Sequence, residues 1–106
     1  MDILAALAEP TRRRIVEMLA QRELSAGEIA GHFAASAPAI SQHLKVLRAA
    51  RLVRVRAEAQ RRIYELDPDG LNDLDQWLGH LRQYWRGRLG GTERRLIKRA
   101  RDEAGS

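Results

Sequence analysis

The side chains best suited to chemistry fall between Ser36 and Arg62: Ser36, Ser41, Gln42, Lys45, Arg48, Arg51, Arg54, Arg56, Arg61 and Arg62. Their chemistry is recognition. A glutamine amide pairs bidentately with an adenine edge, a serine hydroxyl bonds several bases or a phosphate, and lysine and arginine neutralise phosphates. The stretch holds seven basic residues and one acid, Glu58, a net of +6 in a chain that carries +5, so the remainder stands at −1. Such a concentration points to an anionic partner, nucleic acid or a membrane surface.

Other chemistries are poorly supplied. The 106 residues include no cysteine, which removes disulfides, thiolate metal sites and cysteine nucleophiles. Asp67, Asp69, Asp73 and Asp75 cluster, but at turn and early-helix positions, where acids cap a helix and complement its dipole. No nucleophile–base pair or carboxylate pair has catalytic spacing, so the chain reads as a non-enzyme. His32, His43 and His80 are scattered, and a lone imidazole is a poor metal site. No metal and no cofactor is expected.

The recognition groups need elements to hold them. Glu9-Pro10-Thr11 reads as a helix start, since proline suits the first turn. Ile15, Met18 and Leu19 give that helix an apolar stripe to about Arg22. Ser25-Ala26-Gly27-Glu28 has the form of a capping box, opening a helix with Ala26, Ile29, Ala30 and Phe33 on one face. Ser36 then caps a helix over Ala37 to about Ala50, with Pro38 in its first turn. Ile40, Leu44 and Leu47 share the rear of this helix; Pro38, Ser41, Gln42 and Lys45 point the other way. Two short helices joined by about three residues, with Ala34-Ala35 as the turn, form a helix-turn-helix.

Leu52 to Arg56 and Arg61 to Leu66 alternate with period two and read as strands. The connection Ala57-Glu58-Ala59-Gln60 has neither glycine nor asparagine, so a longer, mobile tip is expected rather than a tight primed turn. A hairpin directly after the recognition helix makes a winged helix. The fold class is therefore mainly α with a small β-hairpin wing. Asp67-Pro68-Asp69-Gly70 has turn chemistry, and a long helix follows. Leu71, Leu74, Leu78, Leu81, Trp85 and Leu89 form a narrow stripe on it, which Trp77 and Tyr84 widen. That is more large apolar surface than a terminal helix needs for its own core, and it suggests a partner helix from a second copy. Gly90-Gly91 should weaken or end the helix, and Thr92 could cap a last basic segment. One domain over 1–91 with a basic extension over 92–106 is expected.

In a major groove the N-terminal part of the recognition helix lies closest to base edges. The expected DNA contacts there are Ser36, Pro38, Ser41 and Gln42. His43 is counted with these candidates for DNA contact but lies about 60° from the apolar centre of its helix, more a half-buried flank than a base reader. Lys45 and Arg48 would meet phosphates. Arg54, Arg56, Arg61 and Arg62 would bring the wing to the backbone or a minor groove, and the free amides opening the helix suit a phosphate.

The segments Leu7-Ala8-Glu9-Pro10-Thr11-Arg12-Arg13-Arg14-Ile15, Ser41-Gln42-His43-Leu44-Lys45-Val46-Leu47-Arg48, Leu52-Val53 and Arg61-Arg62-Ile63-Tyr64-Glu65-Leu66 resemble the ArsR/SmtB family of winged-helix repressors. The resemblance covers most of residues 4 to 90. It implies a homodimer with interlocked terminal helices, carrying Leu4 and Leu7 at one end and the Leu71–Leu89 stripe at the other. It also implies repression, relieved by a signal. Arsenic-sensing members carry cysteines where this chain has Leu24-Ser25-Ala26-Gly27-Glu28. Zinc-sensing members carry carboxylate–histidine pairs on the last helix, where this chain has Asp73, Asp75, His80 and Gln83. The resemblance is thus to the metal-free branch, and the residues specify no inducer.

The expected partners are double-stranded DNA and a second copy of the chain, meeting as a homodimer on a palindromic operator. The rival reading is a winged-helix module docking an acidic protein. It would favour exposed aromatics or leucines over residues 38 to 45, a face that is instead small, polar and basic. A membrane-surface role for residues 92 to 101 has only Leu96 and Ile97 behind it. No apolar run approaches a membrane span, and Met1 to Arg14 lacks the layout of a secretion signal, so a cytoplasmic location is expected.

Overall fold

The computed structural model describes the backbone of residues 3–105 and the side chains of residues 3–87. In chain order the elements are α1 (Ile3–Ala8), α2 (Pro10–Gln21), β1 (Leu24–Ser25), α3 (Ala26–Ala30), α4 (Ala37–Ala49), β2 (Val53–Glu58), β3 (Arg61–Leu66) and α5 (Pro68–Gly105). Two compact units result, one through Leu74 and one from Asp75 onward.

The first unit is built around Ile15, Ile29, Ile40, Leu47, Leu52 and Val53, all with side chains essentially out of solvent. Each such side chain contributes about 1.5–3 kcal/mol of burial, and the six come from α2, α3, α4, β2 and the turn before β2. This shared core fixes the two helices of the helix-turn-helix against each other and against the wing. Glu9 caps α2, its carboxylate accepting the Arg12 amide at 2.9 Å, with Pro10 as the first helical residue. The capping box opening α3 is complete: the Ser25 amide donates to Glu28 Oε1 at 2.9 Å and the Glu28 amide to Ser25 Oγ at 3.1 Å.

Several expectations are corrected. The helix opened by Ser25 does not reach Phe33. It stops at Ala30, because Gly31 follows and the His32 and Phe33 amides then bond only three residues back, to Ile29 and Ala30. The turn is therefore residues 31–36, though Phe33 still packs on the core. The sheet has a third strand: Leu24-Ser25 pairs with Tyr64-Ile63, giving the antiparallel order β1-β3-β2. Two residues are too few to show a period.

The wing tip is tight rather than long. Glu58 pairs with Arg61, leaving only Ala59-Gln60 between the strands, and Ala59 takes the left-handed φ of 57° that such turns favour. The long helix starts at Pro68, with the Asp67 carboxylate accepting the Asp69 amide at 3.0 Å. It continues through Gly90-Gly91 without a second helix start, and the Thr92 side chain lies outside the described residues. A helical glycine costs only about 1 kcal/mol relative to alanine, which a long helix tolerates.

Candidate nucleic-acid interface

The recognition helix α4 sits on Ile40, Leu44 and Leu47, which are buried. Burial of that rear leaves Ser36, Pro38, Ser41, Gln42, Lys45 and Arg48 exposed on the other sides. Ser36 Oγ accepts the Ala39 amide at 3.3 Å, which spends an acceptor and leaves the hydroxyl proton to donate. Pro38 has no amide proton and that of Ala39 is taken, so the Ala37 N–H is the one donor left among the first three helical residues. The anion-binding end expected of this helix is correspondingly small. Lys45 and Arg48 form no ion pair among the described residues.

His43 turns from this front. Half-buried, its Nδ1 lies 3.3 Å from Arg12 Nη1 and 3.7 Å from Glu9 Oε2. Arg12 also donates through Nε to the Ala6 carbonyl at 2.8 Å. The Glu9–Arg12 pair thereby joins the end of α1, the start of α2 and the middle of α4. The Arg12 amide, first, and then the His43 and Arg12 charges hold the Glu9 carboxyl below its ordinary value.

The wing divides its arginines between two faces. Cross-strand pairing puts Arg54 opposite Glu65, Arg56 opposite Ile63 and Glu58 opposite Arg61 on the outer face; Val53, Val55, Tyr64 and Leu66 lie on the face toward the helices, with Ala57 and Arg62 at its tip. The outer face is an ion-pair lattice. Arg56 donates to both oxygens of Glu23 at 2.7 and 2.8 Å, to Glu58 at 3.1 Å and to Glu65 at 3.3 Å. Arg54 pairs with Glu65 at 3.0 Å, and Arg61 with Glu28 at 3.0 Å. These contacts raise the Arg56 pKa, chiefly through the Glu23 hydrogen bonds. Glu23 is lowered first by the Arg56 hydrogen bond, and Glu28 first by the Ser25 amide. The Arg62 side chain has no hydrogen bond or ion pair among the described residues, and its cross-strand neighbour is Ala57.

The positive charge counted along residues 36–62 is therefore answered partly from outside the stretch, by Glu23, Glu28 and Glu65. Arg51, at the end of α4, pairs with Asp69 at 3.1 Å. Linear reading missed Glu23 and Glu28 because each lies 33 residues from the wing arginine it pairs with.

The expected interface stripe also divides. Leu7, Leu71 and Leu74 are half-buried and pack on the core of their own unit. Leu4, Leu78, Leu81 and Trp85 are exposed, as are Trp77 and Tyr84; Leu89 lies outside the described side chains. Among the described residues no group of three histidine, aspartate or glutamate side chains could hold a metal ion, and no helix is long and apolar enough to cross a membrane.

Comparison with known proteins gives a consistent picture. Residues 9–55 match the model of bacterial regulatory proteins of the arsR family. The chain is 54% identical over 76 residues to the HTH-type transcriptional regulator Rv2034 of Mycobacterium tuberculosis, covering 68% of this chain and 71% of that one. It is 35% identical over 77 residues to the transcriptional repressor SdpR of Bacillus subtilis, covering 73% and 86%. The crystal structure of a "possible transcriptional regulator for arsenical resistance" superposes with a TM-score of 0.69 at 45% identity, covering 80% of this chain and 85% of that one.

Proposed function

The chain belongs to the arsR family of bacterial regulatory proteins, DNA-binding transcriptional regulators and not enzymes, and on that premise we propose that it is a homodimeric repressor of a palindromic operator. The observation that carries the reading is the front of α4: an exposed row of Ser36, Pro38, Ser41, Gln42, Lys45 and Arg48 on a buried apolar rear. Gln42 and Ser41 read base edges, with Pro38 offering an apolar surface to a thymine methyl. Lys45, Arg48 and the wing hold the phosphate backbone and so fix register. Two copies present their α4 helices one turn of DNA apart, roughly 34–36 Å. Occupancy near a promoter blocks transcription.

The experiment is binding of the purified protein to a labelled fragment from upstream of its own gene, against excess random DNA, at low and near-physiological salt. Binding that survives competition is expected. Equal binding to both fragments, vanishing with salt, would reduce α4 to a basic surface and remove the operator.

A further inference from the structure

We propose that the wing touches DNA through Arg62 alone, that Arg56 and Arg61 form a brace that holds the hairpin to the helix-turn-helix, and that Arg54 is taken up within the hairpin by Glu65. The inference rests on the DNA-binding reading above and divides the labour within it. All four arginines are exposed and all four are charged, so composition does not separate them. The sheet register does. Arg54, Arg56 and Arg61 share the outer face, where each meets a carboxylate within 3.0–3.1 Å or closer. Arg62 lies on the opposite face, flanked by Ala57 across the ladder and Tyr64 along its own strand, with no acid beside it.

The anchor points of the lattice give it a mechanical sense. Glu23 immediately precedes β1, and Glu28 belongs to the capping box that opens the first helix of the helix-turn-helix. Arg56 grips Glu23 bidentately, and Arg61 binds the same Glu28 oxygen that accepts the Ser25 amide. The hairpin is thus fastened to the segment that orients α3. A guanidinium satisfied by carboxylates gains little from a phosphate, because it must give up one charge-assisted bond to make another. Arg62 gives up only water. Its face continues the one that packs on the helices, and beyond the core that face is open at the tip.

The test is the salt dependence of binding to a random-sequence duplex, for the full chain and for R62Q, R62K, R56Q and R61Q. Each phosphate contact contributes about 0.9 to the slope of log affinity against log salt. R62Q should lower the slope by about that amount per bound protomer, so that affinity falls about 3.5-fold less between 50 and 200 mM salt. R62K should restore it, since a phosphate contact needs only a point charge. R61Q and R56Q should keep the wild-type slope. They should instead speed amide exchange at Glu58 and Ile63, whose pairs carry the ladder bonds, several-fold, and R56K should not reverse this, because ammonium lacks the fork that spans Glu23.

A slope lowered by R61Q or R56Q as much as by R62Q overturns the division. So does an R62Q slope equal to wild type. R61Q breaks a single exposed pair and serves if R56Q does not fold. A wild-type chain with no salt-dependent binding at all would remove the DNA-binding reading itself, an outcome distinct from either of these.

Discussion

Ala59 occupies a conformation that costs an L-residue about 1–2 kcal/mol and glycine almost nothing. With φ of 57° at the first residue of a two-residue turn, it is the price of a hairpin with no glycine at its tip. Ala59→Gly should therefore stabilise the protein, by up to about 1 kcal/mol once the greater freedom of glycine in the unfolded chain is set against the gain. The urea midpoint should rise with an unchanged slope, and a lower midpoint would contradict the strain argument. Gly70 is the converse. A Cβ there would lie 1.9 Å from the Arg51 carbonyl oxygen and 2.5 Å from its carbon. Those are backbone atoms, and Arg51 is itself left-handed, φ 61°, at the end of α4. Gly70→Ala should cost about 3 kcal/mol or more, since neither side can yield without moving α4 or α5, and thermal unfolding would report it. Neither position was legible in the sequence. The alternation of strand residues says where strands are, whereas turn length follows from pairing, and Gly70 read only as turn chemistry. Gln42 was legible, because a helical wheel over Ala37–Ala50 places it opposite Leu44 and Leu47. Gln42→Ala should cost about 1–3 kcal/mol at one operator position while leaving random-sequence affinity almost unchanged.

The elements were read where local chemistry decides them. Ser25 and Glu28 announced their helix because the capping box is a contact between residues three apart, and Ser36 did the same for α4. The third strand and the ion pairs across it were not, because they join segments whose proximity exists only after the sheet forms. These joints, and the Glu9 cap of α2, have a pH signature. Glu9, Glu23 and Glu28 all lie below the ordinary glutamate value of 4.5. Below that value the unfolded chain takes up protons that the folded state still refuses, so their stabilisation is full above about pH 4.5 and is lost as the pH falls through the folded values. The thermal midpoint should be nearly flat from pH 7 to 5 on this account and then decline. Glu28→Gln keeps a capping-box partner, since glutamine serves at that position, but has no carboxyl to titrate. It should lower the midpoint at pH 7 and shrink the decline below pH 4.5. An identical acid decline in E28Q would show that the Glu28 carboxylate, held low first by Ser25 and then by the Arg61 and Arg22 charges, contributes nothing to it.

For the whole molecule the decisive feature is the large apolar surface that α5 exposes among the described residues. Trp77, Leu78, Leu81, Tyr84 and Trp85 recur at helical spacing on α5 and remain 38–59% exposed. Side chains of this size are seldom left facing water in such a row, and aromatic residues of this kind are the usual anchors where two proteins meet. The half-buried Leu71 and Leu74, by contrast, are already used by the core of their own unit, so the part of the stripe available to a second copy starts at Trp77. A symmetric pairing of two such helices would bury the row against itself. If this is the dimer contact, Leu81→Glu places a carboxylate in the middle of it, and the partner copy contributes the same charge. The variant should sediment as a monomer at concentrations where the wild type is a dimer, with its helix content and thermal transition otherwise retained. Operator affinity should fall about a hundredfold or more, because each half-site then binds without the effective concentration supplied by its neighbour, while the weak binding of a single copy to random DNA persists. A Leu81→Glu chain that remains dimeric with full operator affinity would move the dimer contact off this row and leave its exposed tryptophans to a different partner.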